Sequence, residues 1–403
     1  MAKYKRAAVA MLLMMTTAAC GTSPAPATPS QSTSASAASS PTSTRSSVQS
    51  VAPDVSSETY LSVSLQSRQI RSVDLPSGVT FHVTDSDGPR FVMDEALGGD
   101  KTGRIGTTLW FVDLSTRTLR RLVDLSDGYV PFYPAIRGDY VAWSELRSAD
   151  PSYTPPYNWR IKVMDLRTSK TRLLATGVTG VFPTVAIDGD VVLWTYQALG
   201  HQDRTELVRA SASTGAILES RQLDGDVFRM AADGGYLAYT AGITAPNGVL
   251  AAAKLYVCRP GSTKATEIAS NAHEVSFRNG VLAWGQDQPT DVPVALPSDT
   301  RIWSASTPDL RPEPVAPAPG GNGEHLQQWP VSGDRYVTWG SERTATGLDQ
   351  LAIWSPATRH AYLVEPTTGV IGSSTAAGWL IWAEELPRPV VKGLPLSEIV
   401  WSP

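Results

Sequence analysis

Short apolar segments that end in an aromatic residue recur along the chain, usually directly after a Gly-Asp or similar turn. The clear copies span residues 138–143, 189–194, 234–239, 279–284, 333–339 and 377–382, and a weaker first copy spans 88–95. The aromatic ends of the clear copies lie 51, 45, 45, 55 and 43 residues apart. Such a period is typical of the blades of a β-propeller, and helical periodicity is nearly absent.

Each repeat has further strand-like segments around this apolar segment. An innermost segment precedes it, often led by an aromatic residue and proline, as in Tyr133-Pro134, Phe182-Pro183 and Trp329-Pro330. Proline is tolerated at the first residue of a strand. Two more segments follow, separated by short turns, so each repeat holds four strands, labelled A to D from the axis outward. Strand B is apolar on both faces, which predicts that it is sandwiched between neighbouring sheets.

The pattern therefore predicts an all-β fold: a single β-propeller, most consistent with seven four-stranded blades. The last repeat ends at residues 399–403, which would supply its strand C and leave no strand D. Residues 59–64 and 69–75 are both candidates for the missing strand. An N-terminal strand in the last blade would close the ring and remove an open sheet edge.

The N-terminus has the three parts of a secretory signal. Basic residues among the first six precede a short apolar stretch at 7–15, and Thr17-Ala18-Ala19-Cys20 follows. The small residues before Cys20 resemble the lipobox of bacterial lipoproteins, although Thr17 replaces the usual leucine. The resemblance implies a Cys20 that carries acyl chains and becomes the mature N-terminus. A plain cleaved signal with an incidental cysteine is the alternative.

Three domains follow from these observations. Residues 1–20 form the lipoprotein signal peptide, and residues 57–403 form the propeller. Between them, residues 21–56 hold little but Ser, Thr, Ala, Pro and Gln, so they contain too little apolar surface to repay the entropy of ordering and form a disordered tether. The expected location is extracytoplasmic, anchored to the cell membrane through the N-terminal lipid.

From about residue 77 to the end, the repeats resemble the TolB-type, WD40-like propeller repeats of bacterial envelope proteins. The Gly-His and Trp-Asp signatures of true WD40 repeats are missing. TolB-like members usually have six blades, so a count of seven departs from that subfamily.

Charge, cysteine content and turn residues argue against three kinds of function. A formal net charge of -4 argues against a nucleic-acid binder. The other cysteine, Cys258, falls at a mid-strand position and is expected to be an inert, buried residue. The Asp-rich turns at 85–88, 188–190 and 224–226 resemble calcium loops, but hairpin turns favour the same residues. We therefore expect no metal site and no cofactor.

Propeller sites lie at the channel mouth, where the A strands begin. Six residues are candidates there, chemically mixed and from scattered blades: His82, Arg229, His273, Glu274, His325 and Gln328. No repeated metal-ligand pattern and no catalytic motif occurs among them, which favours solvated loop residues. We expect no catalytic residue, and we retain His273 and His325 as binding candidates.

The second candidate surface is formed by long B–C loops, expected at 144–159, 241–253, 285–300 and 384–398. One of them carries Tyr153, Tyr157 and Trp159, which would anchor a partner if they are exposed. The alternative is that these rings pack over the loop's own surface.

The favoured function is a non-catalytic binding or scaffold module that uses this face. Its partner would be an envelope protein, a peptide or a cell-wall glycan. A propeller enzyme, hydrolase or lyase, acting at the channel mouth is the alternative, and a sensor that works with a membrane partner is a third.

Overall fold

The computed structural model describes residues 60–66, 69–77, 80–96, 105–148, 156–197, 204–244, 250–287, 300–317, 325–343, 348–367, 369–384 and 388–401. They lie in one compact unit, Val55–Pro403. Within these ranges, 29 strands form seven sheets, each the blade of a seven-bladed β-propeller. No helix in the described ranges is long and apolar enough to cross a membrane.

The strands follow one another in chain order from blade to blade. Two N-terminal strands, β1 (Leu61–Ser64) and β2 (Arg71–Asp74), come first. Blade 1 comprises β3 (Thr80–Asp87), β4 (Arg90–Ala96), β5 (Ile105–Asp113) and β6 (Thr118–Asp124). Blade 2 comprises β7 (Val130–Arg137), β8 (Tyr140–Ser148), β9 (Tyr157–Asp165) and β10 (Lys170–Thr179). Blade 3 comprises β11 (Thr184–Asp188), β12 (Val191–Tyr196), β13 (Arg204–Ser211) and β14 (Ile217–Asp224).

The remaining blades repeat this arrangement. Blade 4 comprises β15 (Asp226–Asp233), β16 (Tyr236–Thr244), β17 (Leu250–Cys258) and β18 (Ala265–Ser270). Blade 5 comprises β19 (Ala272–Arg278), β20 (Val281–Asp287), β21 (Thr300–Ser306) and β22 (Glu313–Pro314). Blade 6 comprises β23 (His325–Gly333), β24 (Tyr336–Arg343), β25 (Leu348–Ser355) and β26 (His360–Glu365). Blade 7 comprises β27 (Val370–Ala376), β28 (Trp379–Glu384) and β29 (Val390–Pro395), followed by a 3-10 turn, Leu396–Glu398.

Ring closure follows the prediction, with one addition. Strand β2 pairs antiparallel with β29 and supplies strand D of blade 7. Strand β1 pairs parallel with β26, with Leu61 opposite Tyr362, and becomes a fifth strand of blade 6. Both N-terminal candidates are therefore used, each in a different blade. Blade 6 receives a fifth strand that the repeat pattern did not require.

Two sequence-based boundaries are wrong. Strand C of the last blade is β29, and Ile399 lies beyond it, after the 3-10 turn. The B–C connections are also shorter than expected, because strands B and C continue to pair as hairpins beyond the buried aromatic residue. In blade 2, this pairing runs as far as Ser148 opposite Tyr157.

The core lies between adjacent blades. Five blades carry a tryptophan within strand B that is at most 1% exposed, namely Trp143, Trp194, Trp284, Trp339 and Trp382. One interblade cluster, for example, joins Trp159 and Ile161 of blade 2 to Val192 and Trp194 of blade 3. Burial of one large apolar side chain contributes about 1.5–3 kcal/mol. The expectation that strand B is buried on both faces is confirmed.

In blades 1, 3 and 4, an aspartate at the end of strand A links the blade to the next one. The Asp87 carboxylate accepts a hydrogen bond from the Gly138 N–H at 2.8 Å, and Asp233 accepts one from Gly280 at 2.8 Å. Asp188 accepts two, from Gly234 at 3.0 Å and Gly235 at 2.7 Å. Asp87 and Asp188, which the sequence placed in turns, therefore also hold the following blade in place.

Candidate functional site

The A strands line a channel whose two ends differ. The A–B and C–D turns share one end, which we call the turn face. The D–A and B–C connections share the other, which we call the long-loop face. Each A strand thus begins at the long-loop face and ends at the turn face. A side chain's position along its A strand therefore tells which channel end it is near.

At the turn face, an ionic bridge crosses the channel. Asp85 of blade 1 lies 2.7 Å from Nη2 of Arg278 of blade 5 and 2.8 Å from Nη1 of Arg137 of blade 2. Arg278 also donates to the Ser86 carbonyl, and the Ile136 N–H donates to Asp85 at 2.9 Å. Burial raises the pKa of Asp85, while Arg137 and this N–H oppose the shift.

Arg137 and Arg278 end their A strands at the position that Asp87, Asp188 and Asp233 occupy in blades 1, 3 and 4. At Arg278, the exchange of aspartate for arginine replaces a link to the neighbouring blade with a link across the channel, whereas Arg137 still links blade 2 to its neighbour, blade 1.

Towards the long-loop face, three A strands bring Tyr133, Arg229 and Glu274 together from blades 2, 4 and 5. The Arg229 guanidinium lies 4.7 Å from the centroid of the Tyr133 ring. Tyr133 raises the pKa of Arg229; burial opposes this shift, and Glu274 reinforces it. A cation held beside an aromatic face and a carboxylate is an arrangement suited to a polar or anionic ligand.

Backbone irregularities aim these side chains. Tyr133 and Glu274 adopt positive φ values of 49° and 47°, and each lies within a β-bulge of its A strand. A non-glycine residue in this region costs about 1–3 kcal/mol and persists where the surroundings hold it. Bulges commonly redirect a side chain next to a functional site.

His273 lies beside this group and is held by strands B and C of its own blade. Its Nε2 is 3.0 Å from Asp287 Oδ1 and 3.3 Å from Thr300 Oγ1, and Thr300 donates to Asp287 at 2.6 Å. A Cβ on Gly285 would lie 2.5 Å from the imidazole, so the ring needs a glycine opposite it. Burial opposes protonation, but the hydrogen bond to Asp287 and the charges of Glu274 and Asp287 raise the pKa of His273.

The expectation that Tyr157 and Trp159 are exposed anchors is wrong. Both rings are buried, 2% and 3% exposed, because they lie in β9 on the face that packs against blade 3. Tyr157 lies 4.9 Å from Phe182 and Trp159 5.0 Å from Tyr196, measured between ring centroids. A Cβ on Gly177 would lie 2.6 Å from the indole, so this glycine makes room for Trp159.

The structure describes the remaining sequence-predicted residues to different extents. Tyr153 and Cys20 lie outside the described residues. His82 lies in β3, and His325 and Gln328 lie in β23, but their side chains are not described. Cys258 is 2% exposed, and burial raises the pKa of its thiol. The described ranges contain no group of three or more His, Cys, Asp or Glu residues that could hold a metal ion.

Sequence reasoning missed Tyr133, Asp85, Arg137 and Arg278. Tyr133 was noted only as the residue that leads its strand. The two arginines carried a signal, since they replace the aspartate of other repeats, but their shared partner could not be deduced from the repeat alone.

No protein-family model matches the chain, and no curated protein sequence is significantly similar to it. The fold is nevertheless similar to solved structures. The β-propeller domain of the Trilobed protease from Pyrococcus furiosus superposes with a TM-score of 0.54 at 10% identity, covering 78% of this chain and 92% of that chain.

Two enzymes share the fold at similar distance. Pyrococcus horikoshii acylaminoacyl peptidase gives a TM-score of 0.56 at 10% identity and covers 80% of this chain; the match spans 52% of the peptidase, about half its length. An oligogalacturonate lyase in complex with manganese gives 0.52 at 13% identity and covers 82% of this chain and 97% of that chain. These similarities establish the propeller fold alone.

Proposed function

We propose that the protein is a non-catalytic binding or scaffold module whose ligand enters the channel mouth at the long-loop face. The observation that carries the proposal is the convergence of Tyr133, Arg229 and Glu274 from three blades. The ionic bridge of Asp85 with Arg137 and Arg278 occupies the opposite end, which favours the long-loop face as the entrance. Tyr153 and His325 remain predicted contacts at this face.

The proposed setting is outside the cytoplasmic membrane, with the module anchored through Cys20 and spaced from the lipid by residues 21–56. Several acyl chains would bind firmly, at about 0.8 kcal/mol per buried CH₂. The resemblance of the repeat sequences to TolB-type envelope repeats supports an envelope protein, a peptide or a cell-wall glycan as the partner. The negative net charge argues against a nucleic acid as the partner.

An enzyme acting at the same mouth is the second candidate. The His273–Asp287 pair supports it, because a carboxylate that orients an imidazole is the usual support of a general base. The structural neighbours include peptidases and a lyase, which agrees with this alternative at the level of fold.

Affinity capture tests the binding function. The unmodified full-length protein and the Arg229→Gln variant are immobilised separately. Each is exposed in turn to an envelope protein fraction, a peptide fraction and a glycan fraction. Lys170→Gln, on the outer strand of blade 2, is the control. We expect the Arg229 variant to retain at least tenfold less of one fraction and the control to retain it fully.

Equal retention by all three proteins would reject the channel mouth as the binding site. If the retained molecule is chemically altered on incubation, and His273→Gln abolishes the alteration without reducing retention, the enzyme alternative replaces the binding module.

A further inference from the structure

A second cavity lies away from the channel, between blades 3 and 4 near the turn face. Its volume is about 240 Å³. Three arginines line it: Arg209 and Arg221 from strands C and D of blade 3, and Arg259 from the C–D turn of blade 4. The proposed function uses none of these three arginines.

The carboxylates in the cavity do not match this positive charge. Glu219 is shared, with its Oε2 2.8 Å from Arg209 Nη1 and its Oε1 3.4 Å from Arg221 Nε. The Asp188 carboxylate also lines the cavity, but it accepts the backbone N–H groups of Gly234 and Gly235. Three guanidinium groups therefore face two carboxylates, so the charged side chains that line the cavity carry one excess positive charge.

Much of the hydrogen-bonding capacity of the arginines remains. Arg221 Nη1 donates to the Ser262 carbonyl at 3.3 Å, and Arg259 Nη1 donates to the Pro308 carbonyl at 2.8 Å. These bonds hold the two side chains in place across blade boundaries. A guanidinium has five N–H donors, so each of these bonds uses only part of the capacity of its arginine.

We infer that this cavity binds an oxyanion, a phosphate or sulfate group, either free or carried by a larger molecule. Planar guanidinium forks match the oxygens of such groups, and several bonds to one anion repay its desolvation. The cavity has room for a group several times the size of a water molecule. Glu219 restrains the arginines when the site is empty and opposes the anion when it binds.

Two charge changes of opposite sign test the site. Binding of inorganic phosphate to the full-length protein is measured by calorimetry and by the shift in melting temperature, against sodium chloride at equal ionic strength. We expect saturable binding that Arg209→Gln weakens at least tenfold. Glu219→Gln should strengthen it several-fold, because it removes the competing carboxylate. A merely structural role for this pair predicts no gain in affinity in either variant.

A second probe distinguishes a free anion from a phosphate group carried by a larger molecule, and melting temperatures show whether each variant is folded. Glycerol 3-phosphate reports whether a pendant phosphate fits: binding of both probes indicates the group itself as the determinant, and binding of inorganic phosphate alone indicates a free anion. Each variant's melting temperature without phosphate is the reference, and the Arg209→Gln, Glu219→Gln double variant preserves the net charge.

Arg229→Gln, at the channel mouth, should bind phosphate as the unmodified protein does, so this result is independent of the proposed function. The inference is overturned if neither probe binds saturably, or if Arg209→Gln and Glu219→Gln change phosphate affinity in the same direction.

Discussion

Arg278 Nη2 lies 2.7 Å from Asp85 Oδ1, which joins blade 5 to blade 1 across the channel through residues 193 positions apart. Arg278 is 6% exposed and Asp85 17% exposed. A buried ion pair contributes little net stability when compared with an apolar replacement of both partners. Removal of one partner, however, leaves an uncompensated charge.

Arg278→Met should therefore lower the free energy of unfolding by about 1–3 kcal/mol, because Asp85 loses one of its two arginines but keeps Arg137 and the Ile136 N–H. The measurement is urea-induced unfolding of Arg278→Met, Asp85→Asn and the double variant. The double variant should cost less than the sum of the single variants by at least about 1 kcal/mol. Additive costs would mean that the two residues act separately.

Glu145 is a buried carboxylate with three side-chain donors around it. It accepts from Trp143 Nε1 at 2.9 Å and pairs with Arg160 at 2.5 Å and Lys162 at 2.9 Å. Glu145→Ala removes the partner of Trp143 Nε1 and Lys162, while Arg160 keeps Asp127 at 2.9 Å. The variant should cost about 3 kcal/mol.

Glu267→Ala is the matched control for Glu145→Ala, because Glu267 pairs with Lys254 at 2.7 Å where both side chains are exposed. It should cost less than about 1 kcal/mol. Similar shifts in the urea midpoint of the two variants would contradict a special role for the buried pair.

The His273–Asp287 pair should make stability depend on pH. The folded pKa of His273 lies above its ordinary 6.5, so the pair's contribution is complete below that pH and is lost as pH rises through the folded value. The pKa of Asp287 lies below its ordinary 3.8, so the contribution also falls as pH drops through that lower value.

The difference in unfolding free energy between the unmodified protein and His273→Gln should then be largest near about pH 5.5 and shrink above about pH 7. Because both side chains are partly exposed, the maximum should be about 0.5–1 kcal/mol. Urea titrations at several pH values measure it, and a difference that grows with rising pH would have the wrong sign.

Ring closure predicts unequal effects for two N-terminal deletions. Removal of residues 57–75 takes away β1 and β2 and exposes the edges of β26 and β29, so we expect a markedly lower melting temperature and more aggregation. Removal of residues 22–50, which the composition predicts to be a tether, should change neither. Equal melting of the two proteins would contradict closure.

Anchoring is tested by Cys20→Ala. If the cysteine carries lipid, the variant should leave the membrane fraction or remain unprocessed. Fractionation with intact mass measurement checks this, and unchanged membrane association at an unchanged mature mass would exclude the anchor.

The sequence by itself determined the repeat and favoured seven blades over six, and the structure decided the number. Strand B is apolar on both faces in every clear copy, and its aromatic end recurs once per blade, so the local pattern already requires a sheet on either side. The turn residues follow from local chemistry too, since glycine and aspartate tolerate the tight turns that end each A strand.

Only the tertiary structure decided where the non-repeated segments go. Residues 61–64 and 71–74 both alternate between buried and exposed positions, and nothing local sends the first to blade 6 and the second to blade 7. Trp159 appeared to lie in a loop because the extent of a hairpin depends on its partner strand. The partners of Arg278 and Arg229 depend on which blades face each other across the closed ring, a relation between distant residues that no local pattern encodes.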